Sequence, residues 1–333
     1  MADYNNDYSD KYLHSDHIEV IKNGNLVWID IRNPNYEDLK SLDLKYHFHE
    51  LNLKDCLYEA QLSKFDRYDD HIFLLLHFPI IEKEISMPRS SQLSVFLGSN
   101  YLVTVHKGDL RPLVTIFDLC KKDVNQRLTL MGKSTGYLLY KIIDSLVYDL
   151  LYVLLKMESY LERMKYGIFD EKVSSSVARK ISLMRVEIIS LRSIFIPINI
   201  VLLELTKDIQ RFSTEVLAPY FTDVQDHINK VLKTLEDARD TAEVYNDTHF
   251  VLATEKSNKI LAILTIFFTL SIPATIVAAF YGMNVNLPGG GSVLSDGGPL
   301  GHHTTLILIL IATSSPSLLM LWYFHKVGWI GTE

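Results

Sequence analysis

Tyr281-Gly282-Met283-Asn284 places a glycine two residues before a neutral amide. Gly282 lets the backbone turn where a bulky residue would clash, and Asn284 presents an uncharged carbonyl oxygen. Magnesium holds its water tightly and usually keeps several waters when bound. A ring of such amides, one from each copy of the chain, could grip a hydrated dication through its water shell and still release it. A ring of carboxylates would hold the ion too strongly for conduction. Gly-Met-Asn also occurs in the turns of soluble proteins, so its surroundings decide what it means.

Those surroundings are two long apolar runs. Residues 260–281 read ILAILTIFFTLSIPATIVAAFY and residues 305–324 read TLILILIATSSPSLLMLWYF, 22 and 20 residues without a charge. About 20 apolar residues in a helix cross a hydrocarbon core of about 30 Å, so both are predicted to span. Pro273 and Pro316 are tolerated where neighbouring helices satisfy the freed carbonyls. Tyr281, Trp322, Tyr323 and Trp329 fall where amphipathic rings meet the interface. Residues 257–333 hold only Lys259, Lys326, Asp296 and Glu333 as charges, which leaves 31 basic and 38 acidic side chains, and the whole net charge of -7, in the first 256 residues. A mildly acidic body followed by an almost uncharged tail excludes a simple soluble globule and disfavours nucleic acid as a partner. Lys256, Lys259 and Lys326 flank the spans, and the loop 282–304 has no Lys or Arg. Positive-inside reasoning therefore puts both termini in the cytoplasm and the loop outside. The N-terminal residues show no basic n-region or apolar run, so no signal peptide is expected. Two cysteines, Cys56 and Cys120, are too few for a disulfide framework or a thiolate zinc site.

The body divides by pattern. Residues 1–17 are polar and read as a disordered tail. Residues 18–136 carry the β-rich runs 26–31, 71–78, 93–97 and 101–105, with 36–62 helical between the first two, and Gly98-Ser99-Asn100 marks a hairpin. This predicts an α+β cytosolic domain with a mixed sheet. Residues 137–218 read as long helices, with Ser174-Ser175-Ser176 as a turn or cap and Pro197 as a bend. Lys141, Asp144, Asp149 and Lys156 interrupt the first of them, which excludes a third span. From Pro219, apolar or small residues recur at Val224, Ile228, Val231, Leu235, Ala238, Ala242 and Tyr245, a 4,3 alternation that predicts one packed seam. The pattern runs without a turn signal into the first span, so residues 219–281 are expected as one stem of roughly 90 Å. Movement at its base would then be felt at the bilayer. Residues 325–333 form a short cytosolic tail. Gly132-Lys133-Ser134 imitates the end of a phosphate loop, but Arg127 stands in place of the first glycine and the segment reads as a loop.

The Tyr-Gly-Met-Asn sequence placed directly after the penultimate span resembles the CorA-type divalent cation channel family. Trp28-Ile29-Asp30-Ile31 with Asn33-Pro34 resembles that family's opening strand, Leu191-Arg192 through Pro197 its second long helix, and Pro219-Tyr220-Phe221 with Asp223-Val224 and Asp226-His227 the start of its stalk. Ser257-Asn258-Lys259, Leu264-Thr265-Ile266 and Pro273 also match, so the likeness runs from about Asn25 to Phe324. It implies a funnel-shaped homopentamer around a central pore, with a two-span hairpin per subunit in the cell membrane. A single chain with two spans cannot itself enclose a polar path; the number five comes from the resemblance alone. By the same resemblance Asn284 forms the outer selectivity ring, shaped by Gly282 and Met283. Asn258 would ring the cytoplasmic entrance and Thr275 would add a ring of hydroxyls within. Leu261, Leu264, Phe268, Ile272 and Ala279 recur at three- or four-residue steps on the face of Thr275. They read either as ordinary lipid or helix packing or as an apolar constriction that closes by dewetting.

The resemblance further implies regulation by cytosolic Mg2+, with Asp223 on the stalk facing Asp55 of the next subunit and Asp144 in a second site. Lys54 stands where the family often has an acid, and Asp247 would add a negative ring near the stalk's upper end. The implied function is passive uptake of hydrated Mg2+, with Co2+ or Ni2+ as further cargoes. Neither an enzyme activity nor an organic cofactor is expected. His302-His303 and His47-Phe48-His49 suit softer metals, which keeps a zinc transporter of the same fold as an alternative. A membrane-anchored sensor without conduction is the other alternative.

Overall fold

The computed structural model of the chain describes residues 15–58, 62–80, 89–169, 175–283 and 304–328. It forms two compact units, Met1–Asp247 and Thr248–Glu333. The first is built on a sheet of strands β1 (Ile18–Asn23), β2 (Leu26–Arg32), β3 (Lys64–Arg67), β4 (His71–Ile80), β5 (Arg89–Gly98) and β6 (Tyr101–His106) in the order β1-β2-β6-β5-β4-β3. Every pairing is antiparallel except β2 with β6, where Ile29 lies opposite Val103. The mixed sheet is thus as expected. The Gly98-Ser99-Asn100 hairpin joins β5 to β6, and the Gly98 position has no room for a side chain because the Tyr101 ring occupies it.

The sheet is covered on both faces, which is why its central strands read as apolar runs rather than as alternation. On one face, Ile29, Ile31, Phe73, Phe96 and Val103 pack with Leu39 and Leu42 of helix α1 (Tyr36–Tyr46) and Leu53 of α2 (Glu50–Leu57). The sequence pattern over 36–62 reads as helical without marking a break, and the chain makes two helices there. Phe48 is the cause. Its ring stacks on Phe96 at 4.0 Å in the core, and His47 takes a left-handed conformation to deliver it there. His49 then caps α2 by accepting the Leu51 amide at Nδ1. The His47-Phe48-His49 run is accordingly a helix break in this fold.

On the other face, Trp28 meets Phe117 of α3 (Arg111–Lys122) edge-on at 4.8 Å. Beneath it lies a buried polar chain. The Trp28 indole donates to Thr104, whose hydroxyl donates to Asp30 Oδ1 at 2.6 Å. Arg32 donates from Nε to Asp30 Oδ2 at 2.9 Å and from a second nitrogen to Asp118. The Gly108 amide donates to His106 Nδ1, so Nε2 carries the ring proton and donates to Asp30 Oδ1 at 3.1 Å. Burial alone would raise the Asp30 pKa, but His106, Thr104 and Arg32 together hold it below the ordinary carboxylate value.

Helix α4 (Val124–Met131) leads through Gly132 to α5 (Thr135–Phe169), which Ser134 starts by accepting the Tyr137 amide at 3.2 Å. The loop reading of Gly132-Lys133-Ser134 is matched. Helix α6 (Ser175–Asp208) buries Ile181, Met184, Ile188, Leu191, Phe195, Ile198, Leu202 and Leu205, a 3,4 stripe. By length and composition it is apolar enough to cross a membrane, yet its longest uncharged run is only the 11 residues from Ser193 to Leu203. That is half of what a span needs, so α6 belongs to the soluble body.

After a 3-10 turn (Ile209–Phe212) comes α7 (Ala218–Gly282), 65 residues long. Val224, Ile228, Val231, Leu235, Ala238 and Ala242 are buried as the heptad spacing predicts, and Tyr245 is half-buried. Gln225 donates to Thr206 at 3.0 Å and Asn199 to Asn229 at 3.0 Å, which ties α7 to α6. The second unit holds the remainder of α7 and helix α8 (Thr304–Lys326).

Substituting Asp30→Asn should lower stability by about 2 kcal/mol, because a neutral amide cannot accept from Thr104, His106 and Arg32 together and leaves Arg32 with Asp118 as its carboxylate. Because the carboxylate's pKa is depressed, its stabilisation is complete above the ordinary Asp range and is lost as pH falls through the lowered value. Denaturation monitored by near-UV circular dichroism should show the wild-type advantage intact from neutral pH to about pH 4 and shrinking only below it.

Candidate functional site

In the second unit the span of α7 has two unlike sides. Leu261, Leu264, Phe268 and Ile272 are 48–56% exposed, and Asn258, Thr275 and Ala279 on the same stripe are exposed as well. Ala262, Ile266, Leu270, Pro273 and Val277 are half-buried and fall on the opposite side. That second side is where α8 touches: the Ser317 hydroxyl lies 3.2 Å from the Leu270 carbonyl and 3.1 Å from the Thr313 carbonyl of its own helix, and shares its one proton between them. On α8, Thr313 and Ser317 are half-buried and Phe324 is buried, again one stripe. The proline ring of Pro273 removes the donor that would meet the Thr269 carbonyl, and the Ser317 hydroxyl of the neighbouring helix lies one residue on, at the Leu270 carbonyl.

The hydroxyls along the span of α7 are satisfied by their own helix. Thr265, Thr269, Ser271 and Thr275 each donate to the carbonyl four residues earlier, at 2.5–2.9 Å. The proton of Thr275 is thereby engaged, and its oxygen retains lone pairs on the uncovered stripe. Helix α7 ends at Gly282, and the Met283 amide donates to the Phe280 carbonyl at 3.3 Å. Gly282 and Met283 are exposed. Asn284, Asp296, His302 and His303 lie outside the described residues.

The acids of the body separate into two groups. Asp144 and Asp223 share a neighbour. The Tyr140 hydroxyl is pushed up to about 12, first by burial and then by the negative charges of Asp144 and Asp223. Asp223 is exposed on the first turns of α7 and Asp144 is half-buried on α5, so two elements bring them to one ring. Lys141 sits over Tyr140 with its Nζ 4.8 Å from the ring centre, and it approaches Asp144 at 3.9 Å. Asp55, on α2, is instead engaged by Lys64 at 2.7 Å, while Lys54 pairs with Glu50 at 2.7 Å on the surface. Asp247 is exposed.

Among the described residues no three His, Cys, Asp or Glu side chains converge as a metal cluster within the chain. Asp55 and Asp66 meet at Lys64, and Asp144 and Asp223 both act on Tyr140. Lys64 is the residue that sequence reasoning missed. Its signal was the alternation in Lys64-Phe65-Asp66-Arg67, a strand too short and too charged to stand out.

Comparison with known proteins agrees with this architecture. Residues 23–326 match the model of the CorA-like Mg2+ transporter protein family. The cobalt/magnesium transport protein CorA of Thermotoga maritima is 28% identical over 262 residues, covering 78% of this chain and 73% of that protein. The solved CorA magnesium transporter of Methanocaldococcus jannaschii superposes with a TM-score of 0.75 at 20% identity, covering 93% of both chains. The ZntB cytoplasmic domain of Vibrio parahaemolyticus shares the fold over 69% of this chain, with a TM-score of 0.55 at 15% identity. With a soluble mixed-sheet body, a long helix leading into an apolar hairpin and a family match over nearly its whole length, the chain belongs to the CorA-like Mg2+ transporter family of membrane transport proteins, which are not enzymes.

Proposed function

We propose that copies of this chain, five on the family pattern, enclose a passive inward route for hydrated Mg2+ across the cell membrane, with Co2+ and Ni2+ as further cargoes. One observation carries the proposal: the α7 stripe with Asn258 and Thr275 is uncovered in the chain, and α8 occupies the other side. Exposure alone is what any two-helix hairpin leaves, Ile263 and Phe267 included; the polar atoms of Asn258 and Thr275 at intervals on this stripe are what fit a pore shared among copies, since a lipid-facing anchor has no need of them. Leu261, Leu264, Phe268, Ile272 and Ala279 then form the apolar constriction and Gly282-Met283-Asn284 the outer selectivity ring. The relative from Thermotoga maritima is named for cobalt and magnesium transport, which supports that choice of cargo.

The membrane potential supplies the drive. A dication moving inward gains about 4.6 kcal/mol per 100 mV, so no nucleotide hydrolysis is required. Residues 18–136 and 137–218 form the cytosolic body, 219–281 the stalk and first span, 282–304 the external loop and 305–324 the second span, with both termini cytoplasmic. Cytosolic Mg2+ bridges Asp223 of one subunit to Asp55 of the next and favours the closed ring. Its loss leaves like charges facing each other and loosens the assembly. Asp144, which shares the Tyr140 neighbourhood with Asp223, contributes to a second site.

Full-length protein in liposomes should pass Mg2+ down its gradient, and Asn284→Ala should abolish the flux or its selectivity; absence of any divalent flux from low internal Mg2+ would remove the channel reading. Asp223→Lys should weaken closure by internal Mg2+ while leaving flux at low Mg2+ in place. Parallel fluxes of Mg2+, Zn2+, Co2+ and Ni2+ decide the cargo, and a flux largest for Zn2+ would replace the magnesium reading by the zinc one.

A further inference from the structure

The carboxylate of Asp55 already has a cation. Lys64, on edge strand β3, places its Nζ 2.7 Å from Asp55 Oδ2, 2.9 Å from Asp66 Oδ2 and 3.1 Å from Asn52 Oδ1. Asn52 is buried, and its amide nitrogen donates to the Tyr68 hydroxyl at 2.9 Å, which turns its carbonyl oxygen toward the lysine. Nζ also lies 5.4 Å from the centre of the Phe73 ring, so the side chain is held from below by the core. Lys64 is one-third exposed, and so are Asp55 and Asp66. Burial alone would lower the basicity of Lys64, but the bonds to Asp55 and Asp66 raise it above the ordinary value, and the ammonium stays charged.

Two carboxylates and an amide oxygen around one positive centre are the oxygen donors that magnesium also takes. Lys54 is turned away to Glu50 and does not compete for them. We infer that Lys64 is a tethered competitor of the sensed dication: Mg2+ that takes Asp55 Oδ2 must displace this ammonium, so Lys64 raises the Mg2+ concentration at which the assembly closes. The inference rests on the reading of Asp55 as a sensing carboxylate. A fixed positive charge beside the seat raises the threshold both by occupying the oxygen and by repelling the incoming ion.

The test measures flux from liposomes of full-length protein against internal Mg2+ for wild type, Lys64→Gln, Lys64→Arg and Asp55→Asn. Lys64→Gln keeps hydrogen-bonding capacity and removes the charge, so the half-closing Mg2+ concentration should fall about two- to fivefold, the scale of part-exposed ion pairs. Lys64→Arg keeps the charge and should stay near wild type. Asp55→Asn should raise the threshold, and Lys64→Gln added to it should shift the threshold less than it does in the wild type. An unchanged or raised threshold in Lys64→Gln, with Asp55→Asn still shifted, overturns the inference and leaves the sensing role of Asp55 standing. If neither variant shifts the threshold, the sensing role itself falls and the inference with it. Should Lys64→Gln assemble poorly, Lys64→Met, which keeps the apolar stem over Phe73, takes its place. It is read by the Mg2+ concentration at half-maximal rise in Tm, expected lower than in wild type; an equal or higher value overturns the inference.

Discussion

Hydrocarbon offers no hydrogen bonds, so a polar path across a membrane must be walled by protein on every side. Two helices cannot do this. In this chain α8 covers only one side of α7, and the stripe that carries Asn258 and Thr275 is left open. The proposed pathway depends on that constraint more than on any single residue. The span's hydroxyls are all bonded to their own backbone, so the helix is stable on its own terms and the stripe can be shared among copies without leaving donors unmet.

The soluble body handles charge in a different manner at each depth. Asp30 is wholly buried and is satisfied by Thr104, His106 and Arg32, a closed set with no opening for an ion. Asp55 and Asp66 are partly exposed and hold a lysine. Asp223 is exposed and interacts with the phenol of Tyr140. The order runs from structural anchor, to occupied seat, to open carboxylate. Solvent access is what distinguishes an acid that stabilises the fold from one that can exchange partners.

Much of this architecture was legible before the structure. Central strands buried on both faces write themselves as apolar runs, and β2, β4, β5 and β6 were read that way. The edge strands β1 and β3 were not. Each has half its surface in solvent and carries charge, as in Glu19, Lys22, Lys64 and Asp66, which blunts an edge against unwanted pairing and erases its signal. The α7 seam was legible because its heptad positions are buried one after another. The break between α1 and α2 was not, since no glycine or proline marks it; the pull of Phe48 into the core overrides local propensity. The span stripe could be drawn from spacing alone. The capture of Asp55 by Lys64 could not, because it needs the pairing of an unrecognised strand beside α2. His47-His49 show the converse hazard, an apparent ligand pair whose described roles are to end one helix and start another.

The Ser317 hydroxyl, donated to the Leu270 carbonyl beside Pro273, has a mechanical meaning. A proline turn is the weakest place in a long helix, and here a hydroxyl of the neighbouring helix lies beside it, shared with that helix's own Thr313 carbonyl. A tilt of α7 about this turn would tip the shared proton toward one acceptor or the other. In the proposed assembly the lipid-facing contour of a subunit would then respond together with the stripe of Asn258 and Thr275, and bilayer thickness would act on both through one hinge.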